Sequence, residues 1–204
     1  VNLMRDDGTR LGCYDGRGHM GLPPPAEETC RAVLAGARLV HVNLANWARR
    51  VLPWAREAGA TVACDLQDLH DLDDPYRADF IAAADILAFS AVNQGGPEGV
   101  DTQLRRLWER RPEVTVVVGL GSAGCAVGDP ATRRWERFGP VSHGEPVRDT
   151  NGAGDSLLVG FASARVLFGA DLSQAAQWGQ RCARHCCTLR GTSDGLLARE
   201  ALPR

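Results

Sequence analysis

The sequence predicts an α/β domain built on a largely parallel sheet, and three observations carry that prediction. From residue 27 onward, short apolar runs alternate with helical stretches, the pattern of strands joined by crossover helices. The runs are rich in β-branched residues, most clearly VTVVVGL at 114–120. Finally, Asp65, Ser90 and Gly119 fall at the carboxyl ends of predicted strands, where ligands bind in open α/β sheets. At 204 residues the chain fits one such domain.

Each element follows in order. Residues 1–20 alternate weakly around Asp7-Gly8 and predict a hairpin, followed by a loop closed by Pro23 to Pro25. Glu27 to Ala37 reads as a helix and 39–44 as a strand. Trp47 to Ala58 is helical up to Gly59, and ATVACD (60–65) is a strand. A helix over 75–84, a strand over 85–90 and a helix over 98–110 come next. The 114–120 strand follows, then a hairpin over 125–138. Helices at about 152–168 and 172–188 close the domain.

Composition narrows the chemistry. With 44% hydrophobic residues, 24% charged and a net charge of −2, the chain is expected to be a cytoplasmic globular protein with no attraction to nucleic acid or membrane. No apolar run reaches the roughly 18 residues of a membrane span, and Val1 at the start agrees with a trimmed chain. The seven cysteines are scattered and read as reduced thiols. All 23 basic residues are arginine. That excludes chemistry built on a lysine, whether a Walker A phosphate ligand or a Schiff base. Phosphate must be met by backbone N–H groups, arginine or metal ions.

VRDTNGAGDSLL (147–158) points to such chemistry. A helix start leaves N–H groups without intrahelical partners and carries partial positive charge. Glycine lets an anion approach them closely. Gly152, Ala153 and Gly154 therefore form a candidate anion hole. Asp155, in the first turn, is placed to take a proton from a hydroxyl attacking phosphorus. Packing of small residues at a helix start is the plain alternative.

The whole string D-T-N-G-A-G-D-S resembles the D-T-x-G-A-G-D signature of ribokinase-like (PfkB-type) sugar kinases. VTVVVGLGSAGCAVG resembles that family's nucleotide-binding strand and turn, with Gly119 where threonine is usual and Gly121 and Gly124 matching. AAQWGQRCARHCCTLRGTSDGLL resembles its closing helix and cation loop, with an ending similar to ketohexokinases. ADILAFSAVN stands in place of the Asn-x-x-Glu motif but carries Ser90 and Asn93; ketohexokinases also begin that motif with Ser, so the resemblance points to the ketohexokinase/fructokinase branch.

The resemblance implies a three-layer αβα sandwich, N-terminally truncated, with residues 1–20 as a remnant of the lid and 21–204 as the nucleotide-binding domain. It implies ATP and Mg²⁺ as cofactors, with a K⁺ ion also compatible, and Asp155 as the catalytic base. Gly152, Ala153 and Gly154 would hold the transferring phosphate. Arg10, Gly119, Gly121, Ser122, Ala123, Gly124 and Gln180 would meet ATP. Asp149 would sit at a monovalent cation, the inserted Ser193 altering the other side of that loop. A homodimer formed through the lid is compatible with the family.

Nothing in residues 1–40 resembles the family's first portion, which carries the sugar-binding residues. Open sheet edges are therefore expected. Two functions fit: an ATP-dependent sugar kinase, for a ketose, another sugar or a nucleoside, or a non-catalytic nucleotide-binding fragment. Cys182, His185 and Cys186 share one helical face, where packing outweighs metal binding. For the acids from Asp65 to Asp74 a solvated loop and helix cap outweighs cation binding, while His41 reads as structural or ligand-adjacent and the five tryptophans as core.

Overall fold

A computed structural model describes residues 2–4, 10–12, 23, 25–69, 71–92, 97–142, 144–191 and 194–201. The predicted hairpin is present as antiparallel strands β1 (Asn2–Met4) and β2 (Arg10–Gly12). Its Asp7-Gly8 turn lies outside the described residues, as do the side chain of Arg10, Asn93 and Ser193.

The main sheet has six strands in chain order: β3 (Leu39–Asn43), β4 (Thr61–Asp68), β5 (Ile86–Ser90), β6 (Thr115–Gly119), β7 (Cys125–Asp129) and β8 (Arg134–Phe138). The first four pair parallel, and β7 and β8 add antiparallel. β3 forms one edge, in keeping with the expected open edge.

Successive strand residues point to opposite faces, and the two faces pack against different helices. Cys64, Leu66, Leu87, Phe89, Val116 and Val118 join one core cluster. It includes residues of α1 (Glu27–Leu34), α2 (Val51–Glu57), α3 (Ala78–Ala83) and α4 (Pro97–Arg110). Ala63, Ile86, Ala88 and Val117 turn the other way, toward α5 (Ala153–Phe168) and α6 (Leu172–Cys186). This is the three-layer α/β/α arrangement.

Several element bounds differ from the sequence reading, each for a local reason. The helix expected from Trp47 starts as a 3₁₀ turn over Asn46–Arg50, and α2 proper begins at Val51. Pro53 has no N–H for the carbonyl four residues earlier, so a regular ladder cannot run back through Arg49. The helix expected from 75 starts at Ala78, because Asp74 turns the chain first: its Oδ1 accepts from the Tyr76 N–H at 2.9 Å. β4 runs three residues past the predicted end at Asp65, across a register shift between Asp65 and Asp68. Gln67 stands in that bulge at φ +56°.

α5 and α6 meet almost backbone to backbone. A Cβ on Gly179 would lie 2.6 Å from the Leu157 carbonyl oxygen, and one on Gly160 would lie 2.9 Å from Cys182 Sγ.

Candidate active site

The two ends of the αα pair start very differently. α6 opens with a full capping box: Asp171 Oδ1 accepts from the Gln174 N–H at 2.7 Å, and Gln174 returns a bond to the Asp171 N–H. α5 opens on Gly152, at φ +73° and ψ 0°, with no side chain capping it. A left-handed residue at that position favours glycine. The Ala153 N–H makes a long bond of 3.3 Å to the Thr150 carbonyl, and no side chain caps the amides that follow. Gly154 and Asp155 are both exposed.

The loop leading to this helix is pinned from below. Asp149 Oδ1 accepts from the Asn151 N–H at 2.8 Å. The Arg148 and Asp149 N–H groups donate to the Cys187 carbonyl, and Cys186 Sγ donates to the Asn151 carbonyl at 3.3 Å. The Cys182–Cys187 stretch therefore packs and positions, as read from the sequence. Among the described residues no group of three His, Cys, Asp or Glu is arranged to hold a metal.

The predicted nucleotide turn lies at the neighbouring strand end. β6 ends at Gly119, and a 3₁₀ turn over Gly121–Ala123 leads to Gly124 and β7. Leu157 of α5 approaches Gly119, its Cδ2 lying 3.9 Å from where a Cβ would stand. The strand end and the helix start thus share one edge of the sheet. Gly124 sits at φ +92°. Gln180 is buried, with Nε2 donating to the Phe138 carbonyl at 3.4 Å. Gly124 closes against that same carbonyl, so Gln180 and Gly124 both help to fix the turn.

Asp65, read from the sequence as a strand-end residue in a ligand-binding position, lies at this edge, although it was assigned no role there. Asp65, at the bulge of β4, is only 9% exposed. Its Oδ2 lies 3.7 Å from the place a Cβ would take on Gly154. Its Oδ1 accepts from the Gln67 N–H at 2.8 Å. Arg77 holds the bulge by donating to the carbonyls of Leu66 and Asp68 and pairing with Asp74. Asp71 and Asp74 cap turns, as expected of a solvated loop, but Asp65 is separate from them and faces the α5 start.

Burial is the main cause that pushes the Asp65 carboxyl up to about 6, with Asp155 and Asp68 adding repulsion and the Gln67 N–H opposing. Burial likewise lowers His41, on β3, against an opposing pull from Asp155. His41 Nε2 is buried without a partner among the described residues.

The sign for stability follows directly. The folded chain keeps the Asp65 proton to about pH 6, while an unfolded carboxyl releases it near 3.8. Stability therefore falls as pH rises through that window. Asp65→Asn removes the cost and is expected to stabilise the fold by up to about 3 kcal/mol above about pH 7. Urea unfolding across the window should show the gain shrinking toward acid.

The chain is thus an α/β/α sandwich in which α5 starts on a glycine step with a carboxylate in its first turn. Residues 63–199 match the pfkB family carbohydrate kinase model, and the chain belongs to that family. It is 31% identical, over its whole length, to the acarbose 7(IV)-phosphotransferase of an Actinoplanes species, of which it spans 67%. Among solved structures it resembles the microbiome-derived acarbose kinase Mak1, at 32% identity and a TM-score of 0.80, over 97% of this chain and 64% of that one. Ribokinase from Giardia lamblia shares the fold at 18% identity and a TM-score of 0.75, over 98% of this chain and 68% of that one. A ribokinase-type structure from E. coli in complex with ATP and Mg²⁺ shares it at 17% and 0.65, over 82% and 57%. The chain thus spans about two thirds of its relatives' length. Among the described residues no helix is long and apolar enough to cross a membrane.

Proposed function

We propose that the full-length protein is an ATP-dependent kinase that phosphorylates a hydroxyl of a sugar or oligosaccharide. The observation that carries this reading is the start of α5, where left-handed Gly152 is followed by amides that no side chain caps and Asp155 stands in the first turn. In the reaction the acceptor oxygen bonds to the γ-phosphorus as the bond to the β–γ bridging oxygen breaks. The electron pair leaves with ADP, and the hydroxyl proton passes to the Asp155 carboxylate.

Each residue has a physical task in this reading. The Gly152, Ala153 and Gly154 amides bind oxygens of the transferring phosphoryl group, acting most strongly as charge develops there. Gly119 and the Gly121–Gly124 turn, with Ser122 and Ala123, line the nucleotide, and Gln180 supports it from behind. Arg10, whose side chain lies outside the described residues, is assigned as a guanidinium clamp on phosphate by its match to the family. Asp149 and its loop suit a monovalent cation such as K⁺. Mg²⁺, carried by the nucleotide, neutralises phosphate charge.

For the acceptor, two relatives of 31% and 32% identity are named for acarbose. Acarbose is therefore the first acceptor to expect, ahead of the fructose-type ketose suggested by the ketohexokinase-like motifs. The test is incubation of the full-length protein with ATP, Mg²⁺ and acarbose, fructose or ribose in turn. Mass spectrometry is expected to show acarbose gaining one phosphoryl group. Nucleotide binding without transfer to any acceptor would overturn the kinase reading in favour of a binding module.

A further inference from the structure

The sequence places all five tryptophans in the core, and four of them fit. Trp108 is buried and donates to the Val114 carbonyl. Trp135 packs on the first core cluster and donates to Asp101. Trp54 packs on the same cluster beneath the Arg31 guanidinium, and Trp178 packs on the second, against Phe168. Trp47 differs. It is 39% exposed and belongs to neither cluster, and it has no hydrogen-bond, ring or cation partner among the described residues. A single exposed valine or leucine is ordinary. Tryptophan, however, is highly buried on average, and an indole left without a partner keeps a large apolar area in water.

The backbone that carries Trp47 is held firmly. The residue lies in the 3₁₀ turn Asn46–Arg50, just past the carboxyl end of β3. Before the turn, the Tyr76 hydroxyl donates to the Leu44 carbonyl at 2.6 Å. Within it, Arg49 donates to the carbonyls of Asn46 and Tyr76, both at 3.2 Å. Arg49 also pairs with Asp79 at 2.9 Å and lies 4.8 Å over the Tyr76 ring. Ala48 roots the turn in the core. The turn stands on the same edge of the sheet as the start of α5. Asn43, the last residue of β3, is exposed and in register with Asp65, one strand spacing of about 4.8 Å away. Asp65 in turn faces Gly154.

We propose that Trp47 is an outer subsite for an oligosaccharide acceptor, a platform on which a ring beyond the phosphorylated one stacks. The inference rests on the kinase reading above for the identity of the acceptor. A pyranose shows C–H groups on its face and hydroxyls on its rim. The indole face is the negative side of the ring quadrupole and suits those C–H groups. The indole N–H and the exposed Asn43 amide suit the hydroxyls. Because Arg49 and Tyr76 already hold the turn, binding has little left to order. The platform reads additional rings and not the reacting hydroxyl, so it sets the preferred length of the acceptor and leaves the chemical step alone.

Two measurements on the full-length protein test the proposal. The first needs no turnover: tryptophan emission and heat are followed as acarbose, a molecule of several linked rings, or glucose is added. Acarbose is expected to shift the wild-type emission. Trp47→Phe should lose that shift yet bind within about threefold of wild type, because its ring still stacks. Trp47→Ala should bind acarbose roughly tenfold more weakly, with glucose no different from wild type. The second measurement compares kcat and KM for acarbose. Trp47→Ala should raise KM roughly tenfold at unchanged kcat, and Trp47→Phe should restore most of the loss. The platform is overturned if wild type binds no acarbose, if Trp47→Ala binds it equally well, or if glucose loses as much as acarbose. A lower melting temperature as the sole effect also overturns it, and makes Trp47 a packing residue of the full-length chain. Acarbose bound through Trp47 but never phosphorylated would remove the kinase reading and leave the platform standing.

Discussion

Asp155→Asn in the full-length protein is expected to lower kcat by about 10²–10⁴-fold while ATP still binds. The amide has nearly the same size and shape as the carboxylate, so the helix start keeps its geometry. It cannot take the hydroxyl proton. Asp155 is exposed, so the fold loses only the favourable placement of an acid at a helix N-terminus, about 0.3–1 kcal/mol. Steady-state kinetics, calorimetric titration of an ATP analogue and a thermal melt separate these terms. Unchanged turnover would remove Asp155 from the chemistry.

Gly124→Ala should act on the fold itself. The new Cβ would lie 2.1 Å from the Phe138 carbonyl oxygen and 2.8 Å from the Gly139 carbonyl carbon. Both are backbone atoms that no rotamer change can move. The residue also sits at φ +92° and ψ −133°, a conformation that side chains bearing a Cβ rarely adopt. Strain and overpacking together should cost roughly 3–5 kcal/mol in urea unfolding. A loss below about 1 kcal/mol would mean that the backbone yields readily. The glycine would then be there for nucleotide access, as its motif suggests, and not for closure of the β6–β7 turn.

The architecture was legible because strand and helix signals were strong where packing is two-sided. Thr115–Gly119 is β-branched and almost wholly buried, and both closing helices fall within two residues of their expected bounds. The sequence was less informative where a distant partner decides the geometry. β4 outruns its apolar stretch because Arg77, nine residues beyond the strand, bonds two carbonyls of its bulge. Gln67 takes a left-handed conformation that nothing in its residue type demands.

Asp65 shows part of the same limit at the site: its strand-end position was legible, its spatial neighbour was not. In the chain it heads a run of acids. Only the fold turns it away from that run and sets it against Gly154, far along the sequence. The glycine step was readable for the opposite reason: its residues are consecutive, so the helix start and its neighbouring carboxylate are written locally. The ketohexokinase-like details were read from short loop motifs, which say little about the acceptor. Similarity to the acarbose kinases is spread over the whole chain.

The contact of Gly160 with Gly179 bears on how such a site closes. Two helices with no clearance between their backbones behave as one stiff body, and the Arg148–Asn151 loop is bonded to the C-terminal end of α6. In the proposed kinase, the amides at the start of α5 would thus be a stationary electrode. If the proposed kinase closes on its substrates, the sugar and the nucleotide tail would have to be carried toward the helix, because the helix has nowhere to travel.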